Sequence, residues 1–373
     1  MTENEPTVQA AQGGGGWLRR HGGKLLGSLV VAGGFAWLLH RGALPLAPDR
    51  SAFAHVRWWT LGAAVVLWSI MHVVRAARWV LLLEPIAPVP LRRVLGVSFI
   101  GFAAIVLLPV RTGEAVRPLM IRTHAKISGW AATGTIAAER IIDGLVLSLM
   151  LLAGLTLSTP LSPLPDRIGN LPVSPSIVPR SAYAALVLFS VAFTVMGVFY
   201  ANRVWARRMT ERVVGVVSPR LATWLADRVE HVGEGLRFLP DRRLAASFVG
   251  ATVLYWMLNA AALWVLAWGC GFDRFTYAEA CTTIGVIAVG ILIPNAPGFF
   301  GAYQLAFYAA LAVFYPPELV MGQGAALVLL VYSSQLLITI AAAGVGLLLE
   351  RTGVREVLAE EAAPKLAPST GTD

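Results

Sequence analysis

The chain has 373 residues, of which 57% are hydrophobic and 14% charged, and its mean hydropathy is +0.68. That balance is too apolar for a soluble domain and is typical of a polytopic membrane protein. The formal net charge is +9, but the arginines stand between apolar segments, where they set topology or meet anionic lipid headgroups rather than nucleic acid. The two cysteines, Cys270 and Cys281, form no CxxC motif, and we expect both to be buried, inert thiols.

The N-terminal region contains a tail and a first apolar segment. Residues 1–16 end in the run GGGG and contain no apolar stretch, so we predict a disordered tail. Residues 17–47 combine a basic flank with a short apolar run, as a signal peptide does. Because the run begins well inside the chain, we interpret it as an uncleaved first membrane span, with cleavage as the alternative.

Five further apolar segments are long enough to cross a hydrocarbon core of about 30 Å. They are predicted at residues 58–83, 130–157, 181–200, 244–269 and 321–349. Together with the first segment they give six full transmembrane helices.

Two other apolar regions are broken by proline and glycine. Residues 94–109 run into LPVRTGE, and residues 280–293 run into IPNAPGFFGAYQ before a second apolar half at 302–314. Such breaks free backbone groups that lipid cannot satisfy, so they occur where the chain lines a cavity or is buried in protein. We therefore predict two re-entrant helical hairpins in an all-α polytopic membrane protein. The predicted turn residues are Pro109, Gly113, Pro294, Pro297 and Gly298.

The distribution of arginines predicts the topology, since basic residues favour the cytoplasmic side. The segment 201–243 contains nine arginines and five acidic residues, whereas the loop 158–180 contains two arginines and one aspartate. We predict a cytoplasmic connector at 201–243 and outside loops at 158–180 and 315–320. Both termini then lie in the cytoplasm of a cell with a bacterial-type plasma (inner) membrane.

The two broken regions are related by a constant offset, because Pro109 and Gly113 lie 185 residues before Pro294 and Gly298. The segments 58–157 and 244–349 each contain a span, a broken hairpin and a span, entered from opposite sides. That order indicates an inverted-topology repeat, and chance coincidence is the alternative. We predict one membrane domain over residues 17–350 and a cytoplasmic tail over 351–373.

Charged residues in and near the spans suggest a polar site. Glu139 and Asp143 lie at i, i+4 inside an apolar segment, with Arg140 beside Asp143 at i, i+3. Each embedded charge is unfavourable by about 2.5 to 3.5 kcal/mol on an insertion scale, so pairing or a polar cavity is required. Arg111 and Arg117 of the first hairpin are the expected partners. The alternative is a buried ion network that only fixes helix packing.

The other candidate site residues each have two interpretations. Arg75 and Arg78 lie about two turns from the end of their span, so they either extend to the interface or contact a substrate. The polar residues near the second break either bind a headgroup or satisfy backbone freed by the prolines. They are Asn295, Tyr303 and Gln304.

Three ordered motifs, LLPVRTGEAVRP, AAERIIDGLVL and IPNAPGFFGAYQ, resemble the flippase-like membrane domain of lysylphosphatidylglycerol synthase/flippase proteins and their stand-alone relatives. The resemblance covers about residues 20–350 and implies transfer of a lipid between leaflets. Bifunctional members add a soluble transferase domain, and because only a short tail follows here, lipid aminoacylation is not expected. The site implied by the resemblance comprises Arg111, Glu114, Arg117, Glu139, Arg140, Asp143 and the PNAPG turn.

We therefore predict a lipid flippase or scramblase with a central polar pocket. Its predicted partners are membrane phospholipids, anionic or aminoacylated, and a homo-oligomer and a separate lipid-modifying enzyme stay open. The sequence contains no phosphate loop, nucleophile with a base, dinucleotide fingerprint or metal-ligand set, so no enzymatic activity, cofactor or metal is predicted. Alternatives are a non-transporting scaffold for a lipid-modifying or glycosyl-transferring enzyme, and a polyprenyl-phosphate-dependent transferase, against which the lack of a DxD-type cluster argues.

Overall fold

The computed structural model describes most of the membrane domain. The described residues are 27, 30–41, 44–108, 113–125, 127–172, 174–202, 207–209, 211–212, 215, 218, 220, 232–292 and 296–362. Side chains are described for these residues except 124–125 and 351–362.

Helices account for nearly all of the ordered secondary structure. They are α1 (Trp59–Ala77), α2 (Trp79–Leu83), α3 (Leu91–Leu107), α4 (Val116–Ala125), α5 (Gly129–Leu157), α6 (Ile177–Ala201), α7 (Arg242–Gly269), α8 (Tyr277–Gly290), α9 (Ala302–Leu311), α10 (Pro317–Met321) and α11 (Gln323–Ala362). Residues 30–41 are also helical.

Among the described residues, five helical segments are long and apolar enough to cross a membrane. They are Trp59–Leu83 (α1 with α2), Gly129–Leu157, Ile177–Ala201, Arg242–Gly269 and Gln323–Glu350. Each coincides with a predicted span. The sixth predicted span falls within residues 17–47, which the structure describes only in part. The chain is thus an all-α polytopic membrane protein, as predicted.

Polar caps fix where several of these helices begin. The Ser128 hydroxyl accepts a hydrogen bond from the Ala131 N–H (3.0 Å) at the start of α5. Asp241 accepts from the N–H groups of Arg243 and Leu244 at the start of α7. Side-chain acceptors of this kind satisfy the first helical N–H groups, which have no partner within the helix.

The two broken regions form helical hairpins, in agreement with the prediction. Helices α3 and α4 make the first hairpin and α8 and α9 the second, and α4 and α9 contain 10 residues each. At 1.5 Å per residue such an arm reaches about 15 Å, half of the hydrocarbon thickness. The second arm of each hairpin therefore cannot cross a bilayer.

Glycines allow the arms of the hairpins to approach closely. A Cβ added at Gly113 would meet the backbone of Ala104, and one at Gly290 would meet the Ala306 side chain. In the second turn, Gly298 (φ 76°) and Gly301 (φ 87°) adopt the left-handed conformation that glycine tolerates best.

The helices of the two predicted repeats pack reciprocally. Helix α1 packs along its counterpart α7, while α3 of the first repeat packs on α11 of the second, and α8 of the second packs on α5 of the first. An exchange of equivalent partners is the pattern expected around a pseudo-twofold axis. This packing supports the predicted repeat. The side of the membrane from which each repeat enters stays a prediction.

Candidate functional site

The embedded charges are carried by α5 and lie near the middle of the domain. Asp143 is the central residue of Gly129–Leu157, and Glu139 lies one turn before it. The side chain of Glu139 is fully buried and that of Asp143 is 7% exposed. Both carboxylates therefore depend on protein groups for their stabilisation.

Arg78 is the principal partner of Asp143. Its Nη1 and Nη2 atoms lie 2.7 Å and 2.8 Å from Oδ1 and Oδ2, a bidentate pair, and Nη1 also donates to the Thr252 hydroxyl. The Arg78 side chain is fully buried, so the interpretation that it extends to the interface is wrong. Arg78 lies at the junction of α1 and α2, and its side chain reaches α5 and α7.

Glu139 is surrounded by three guanidinium groups. Arg117 Nη1 lies 3.0 Å from the carboxylate, Arg140 Nη2 lies 2.9 Å away and Arg78 Nη2 lies 3.4 Å away. The predicted pairing of the first hairpin with the embedded acids is confirmed for Arg117. Arg140, which helical spacing places beside Asp143, donates to its neighbour Glu139, while Arg78 binds both oxygens of Asp143.

Aromatic rings enclose the paired arginines. The Arg117 guanidinium lies over the Trp79 ring at 4.2 Å, and the Arg78 guanidinium lies over Tyr255 at 4.4 Å. The stem of Arg117 passes over Gly101, where a Cβ would collide with it. Ring faces attract cations and displace water, so these two arginines are held in fixed orientations.

A cavity of about 400 Å³ lies beside this cluster, within the range of roughly 300–1,000 Å³ typical of small-molecule sites. Four spanning helices line it with residues at or next to their midpoints. These are Met71 and His72 of α1, Asp143 of α5, Tyr255 and Trp256 of α7, and Gln335 and Leu336 of α11. The cavity is therefore at half the depth of the membrane domain.

Residues at or near the turns of both hairpins line the cavity. From the first hairpin come Ile105, Val106 and Glu114, and from the second come Ile291, Leu292, Gly298, Phe299 and Tyr303. The two predicted breaks thus meet at one site, as backbone breaks at membrane depth require a cavity or protein around them.

The wall of the cavity combines charged and apolar side chains. Arg75, Arg140, Glu114 and Asp143 supply charge, whereas the apolar side chains include Leu147, Phe189, Ile284, Ile287, Val289 and Leu336. Such an arrangement accepts a ligand with a charged end and an apolar body.

An uncharged hydrogen-bond network, not anticipated from the sequence, completes the wall. Asn259 Oδ1 accepts from Trp68 Nε1 (2.9 Å) and from Gln335 Nε2 (3.2 Å). His72 Nε2 lies 3.2 Å from the hydroxyl of Thr339 on α11. The network joins α1, α7 and α11. Its signal in the sequence was the isolation of Asn259, Gln335 and His72 within apolar spans.

The residues predicted for the site fall into three groups. Glu114, Arg140, Asp143, Tyr303 and the secondary candidate Arg75 line the cavity, together with Gly298. Arg117, Glu139 and Arg78 form the ion-pair cluster behind the wall. Pro109, Arg111, Pro294 and Asn295 lie outside the described residues.

Gln304 belongs to none of these groups, although it is buried. Its Oε1 accepts a hydrogen bond from the Gly301 N–H at 2.7 Å, at the start of α9. Of the two interpretations of this residue, the structure favours satisfaction of backbone freed by the break. Gly113 is likewise a packing residue of the first turn.

Metal ligation has no basis among the described residues, where no group of three His, Cys, Asp or Glu side chains could hold an ion. Cys270 and Cys281 are both buried free thiols. The described charged groups of the cavity wall are two arginines and two carboxylates, Arg75, Arg140, Glu114 and Asp143, and the arginines can donate charge-assisted hydrogen bonds to an anion.

A comparison with family models identifies the family to which this chain belongs. A family model described as the lysylphosphatidylglycerol synthase TM region matches residues 25–344. The chain belongs to this family. The residues of the chain that match the family model include both hairpins and every residue of the cavity wall.

A curated relative extends the comparison. The protein named Glycosyltransferase AglD, from Haloferax volcanii, is 26% identical over 236 residues, which cover 59% of this chain and 38% of the relative. The chain therefore spans well under half of the length of that relative. No solved structure matches the chain.

Proposed function

We propose that the chain moves a phosphate-bearing lipid, either a phospholipid or a lipid-linked headgroup, between the leaflets of a plasma membrane. The observation that carries the proposal is the cavity at half depth, which residues of both hairpins line and whose wall combines charged and apolar side chains. A headgroup is most unstable at that depth in pure lipid, because hydrocarbon offers no hydrogen bonds. A polar cavity there removes the main barrier to its crossing.

The reciprocal packing of the two repeats supports a way to open the cavity to either side. Helices α3 and α8 each pack on a span of the opposite repeat. When one repeat rocks against the other, one hairpin turn moves away from the site and the other covers it. Alternating access of this kind is common in transporters built from inverted repeats. The acyl chains stay in lipid while the headgroup passes.

Reconstitution in liposomes tests the proposal directly. The purified chain is placed in phosphatidylcholine vesicles containing acyl-labelled phosphatidylglycerol, and the labelled lipid in the outer leaflet is reduced with dithionite. Empty vesicles lose about half of the label, because dithionite reaches only the outer leaflet. Vesicles that contain an active transporter lose more than half. A wild-type protein that leaves the protected fraction unchanged, with any phosphate-bearing lipid tested, contradicts the proposal.

A matched pair of substitutions on α5 links transport to the cavity. Leu147 lines the cavity, whereas Leu149, two residues later, is 52% exposed on the outer surface of the helix. We expect Leu147→Trp to fill the cavity and slow transport at least about tenfold, while Leu149→Trp keeps the wild-type rate. Equal rates for the two variants would place the transport path elsewhere.

A second function is favoured by the similarity to a protein named as a glycosyltransferase. In that case the chain is a non-transporting membrane scaffold that recruits a separate lipid-modifying or glycosyl-transferring enzyme. Co-purification of such an enzyme, combined with the absence of lipid movement in the vesicle assay, would support the scaffold over the transporter.

A further inference from the structure

Arg75 differs from the other arginines of the site in its partners. It lines the cavity and stacks on the Phe102 ring, with 4.3 Å between its guanidinium carbon and the ring centroid. Its Nε is buried without a hydrogen-bond partner, and Arg75 forms no ion pair with any residue that the structure describes. Stacking on a ring leaves the in-plane N–H donors available, so this guanidinium has unused donors at the cavity wall.

Arg140 offers a second, partly used donor set at the same cavity. One Nη donates to Glu139 at 2.9 Å, while Nε has no partner and the side chain is 34% exposed. By contrast, Arg78 donates with both terminal nitrogens to Asp143 and lies outside the cavity wall. Among the described arginines of the cavity wall, Arg75 and Arg140 both have guanidinium donors available to a ligand.

The charges in and around the cavity do not cancel. Within the described part of the chain they comprise four arginines and three carboxylates, namely Arg75, Arg78, Arg117, Arg140, Glu114, Glu139 and Asp143. The described residues therefore sum to one positive charge, in a site where water screens it poorly. An anionic ligand would neutralise it, and a cationic one would add to it.

From these observations we propose that Arg75, assisted by Arg140, binds the phosphate of an anionic lipid headgroup and makes the cavity select such lipids over their lysyl esters. The inference rests on the proposed function and specifies its substrate class. Phosphatidylglycerol has one net negative charge, whereas lysylphosphatidylglycerol has two ammonium groups and a net positive charge. Among the described carboxylates, Asp143 and Glu139 are already held by arginines, so neither is available to two further ammonium groups.

The test measures binding before transport. The full-length chain in a neutral detergent is titrated with short-chain phosphatidylglycerol, its lysyl ester, phosphatidylcholine and glycerol phosphate, and affinity is obtained from the shift of the unfolding midpoint. We expect phosphatidylglycerol to bind at least about tenfold more tightly than the lysyl ester, the size of one charge-assisted contact. Glycerol phosphate should bind more weakly than the lipid because it has no acyl chains to contact the apolar side chains of the cavity.

Variants of Arg75 assign the selectivity. Arg75→Gln should weaken binding of phosphatidylglycerol about tenfold and remove most of the discrimination against the lysyl ester. Arg75→Lys keeps the charge but loses the planar fork, so it should retain the discrimination with reduced affinity. Arg208→Gln is the matched control, since Arg208 is exposed on the connector, and it should bind as wild type.

The outcomes separate this inference from the proposed function. Selective binding without lipid movement in vesicles would refute transport and leave the assignment of Arg75 intact. Equal wild-type affinity for phosphatidylglycerol and its lysyl ester, or no binding of either, would overturn the inference whether or not lipids move. Glycerol phosphate binding as tightly as the lipid would identify a soluble phosphate ligand and also overturn it. The comparison of wild-type affinities needs no variant, so it stands even if Arg75→Gln does not fold.

Discussion

At the scale of single residues, the main feature is a buried ion cluster whose members have different roles. Arg78 and Arg117 are enclosed by aromatic rings and bound to acids, whereas Arg75 keeps unused donors at the cavity. A buried pair stabilises a fold only weakly relative to apolar residues of the same size, but breaking it leaves an uncompensated charge. The cluster therefore fixes the geometry of the site more than it adds to stability.

Removal of Arg78 should reveal this balance. Arg78→Met leaves Asp143 without its bidentate partner, and we expect it to destabilise the protein by about 3–5 kcal/mol. The double variant Arg78→Met/Asp143→Leu should recover most of that loss, because neither charge is then left alone. Thermal unfolding in detergent measures both, with the exposed Arg208→Met as the control. A double variant as unstable as the single one would show that the pair is not what stabilises the region.

At the scale of elements, the two hairpins depend on glycines that let their arms touch. Gly113 lies against the backbone of Ala104 and Ile105, and backbone atoms cannot move aside as a flexible side chain can. The turn that positions Glu114 at the cavity thus depends on the absence of a Cβ one residue earlier. The second turn instead uses the positive φ angles of Gly298 and Gly301.

Adding a methyl group at Gly113 should therefore separate the arms of the first hairpin. We expect Gly113→Ala to lower stability by about 1–3 kcal/mol, the usual effect of overpacking. Gly62 of α1 is a matched control, because nothing lies within 4 Å of a Cβ built there. Gly62→Ala should be neutral or stabilising by up to about 1 kcal/mol. If both alanine variants melt at the wild-type temperature, the close crossing at Gly113 does not form in solution.

At the scale of the whole molecule, the cavity lies where the two halves exchange helices. Its wall combines the midpoints of α1 and α7, which pack on each other, with those of α5 and α11, which each receive a hairpin arm from the opposite half. Membrane transporters built from inverted repeats commonly place their binding site at the interface of the two repeats. The sequence offset of 185 residues between the turns agrees with this arrangement.

The predicted inverted repeat requires a definite topology, which single-cysteine labelling can measure. In a background with Cys270→Ala and Cys281→Ala, a cysteine at Asp166 or Glu318 should react with an impermeant maleimide added outside. A cysteine at Arg220 should react only after the membrane is opened, since the basic connector is predicted to be cytoplasmic. All three positions are exposed. External labelling at Arg220 would contradict both the topology and the inverted repeat.

Local properties of the sequence were sufficient for the membrane class, the spans and the hairpins. Length and hydropathy report the solvent around each segment, and proline and glycine report where a helix must break. The same reasoning found Glu139 and Asp143, because a charge inside an apolar span requires a partner. These inferences use only residues that are close together in the chain.

The tertiary structure decided which partner each charge received. Asp143 is paired with Arg78, 65 residues away, rather than with the adjacent Arg140, and Arg75, three residues before Arg78, is left with unused donors. All of these arginines are equivalent as sequence signals. Their roles differ because the packing of α1 against α7 and of α2 against α5 sets the direction of each side chain. A direction fixed by contacts between distant segments is physical information that no local pattern contains.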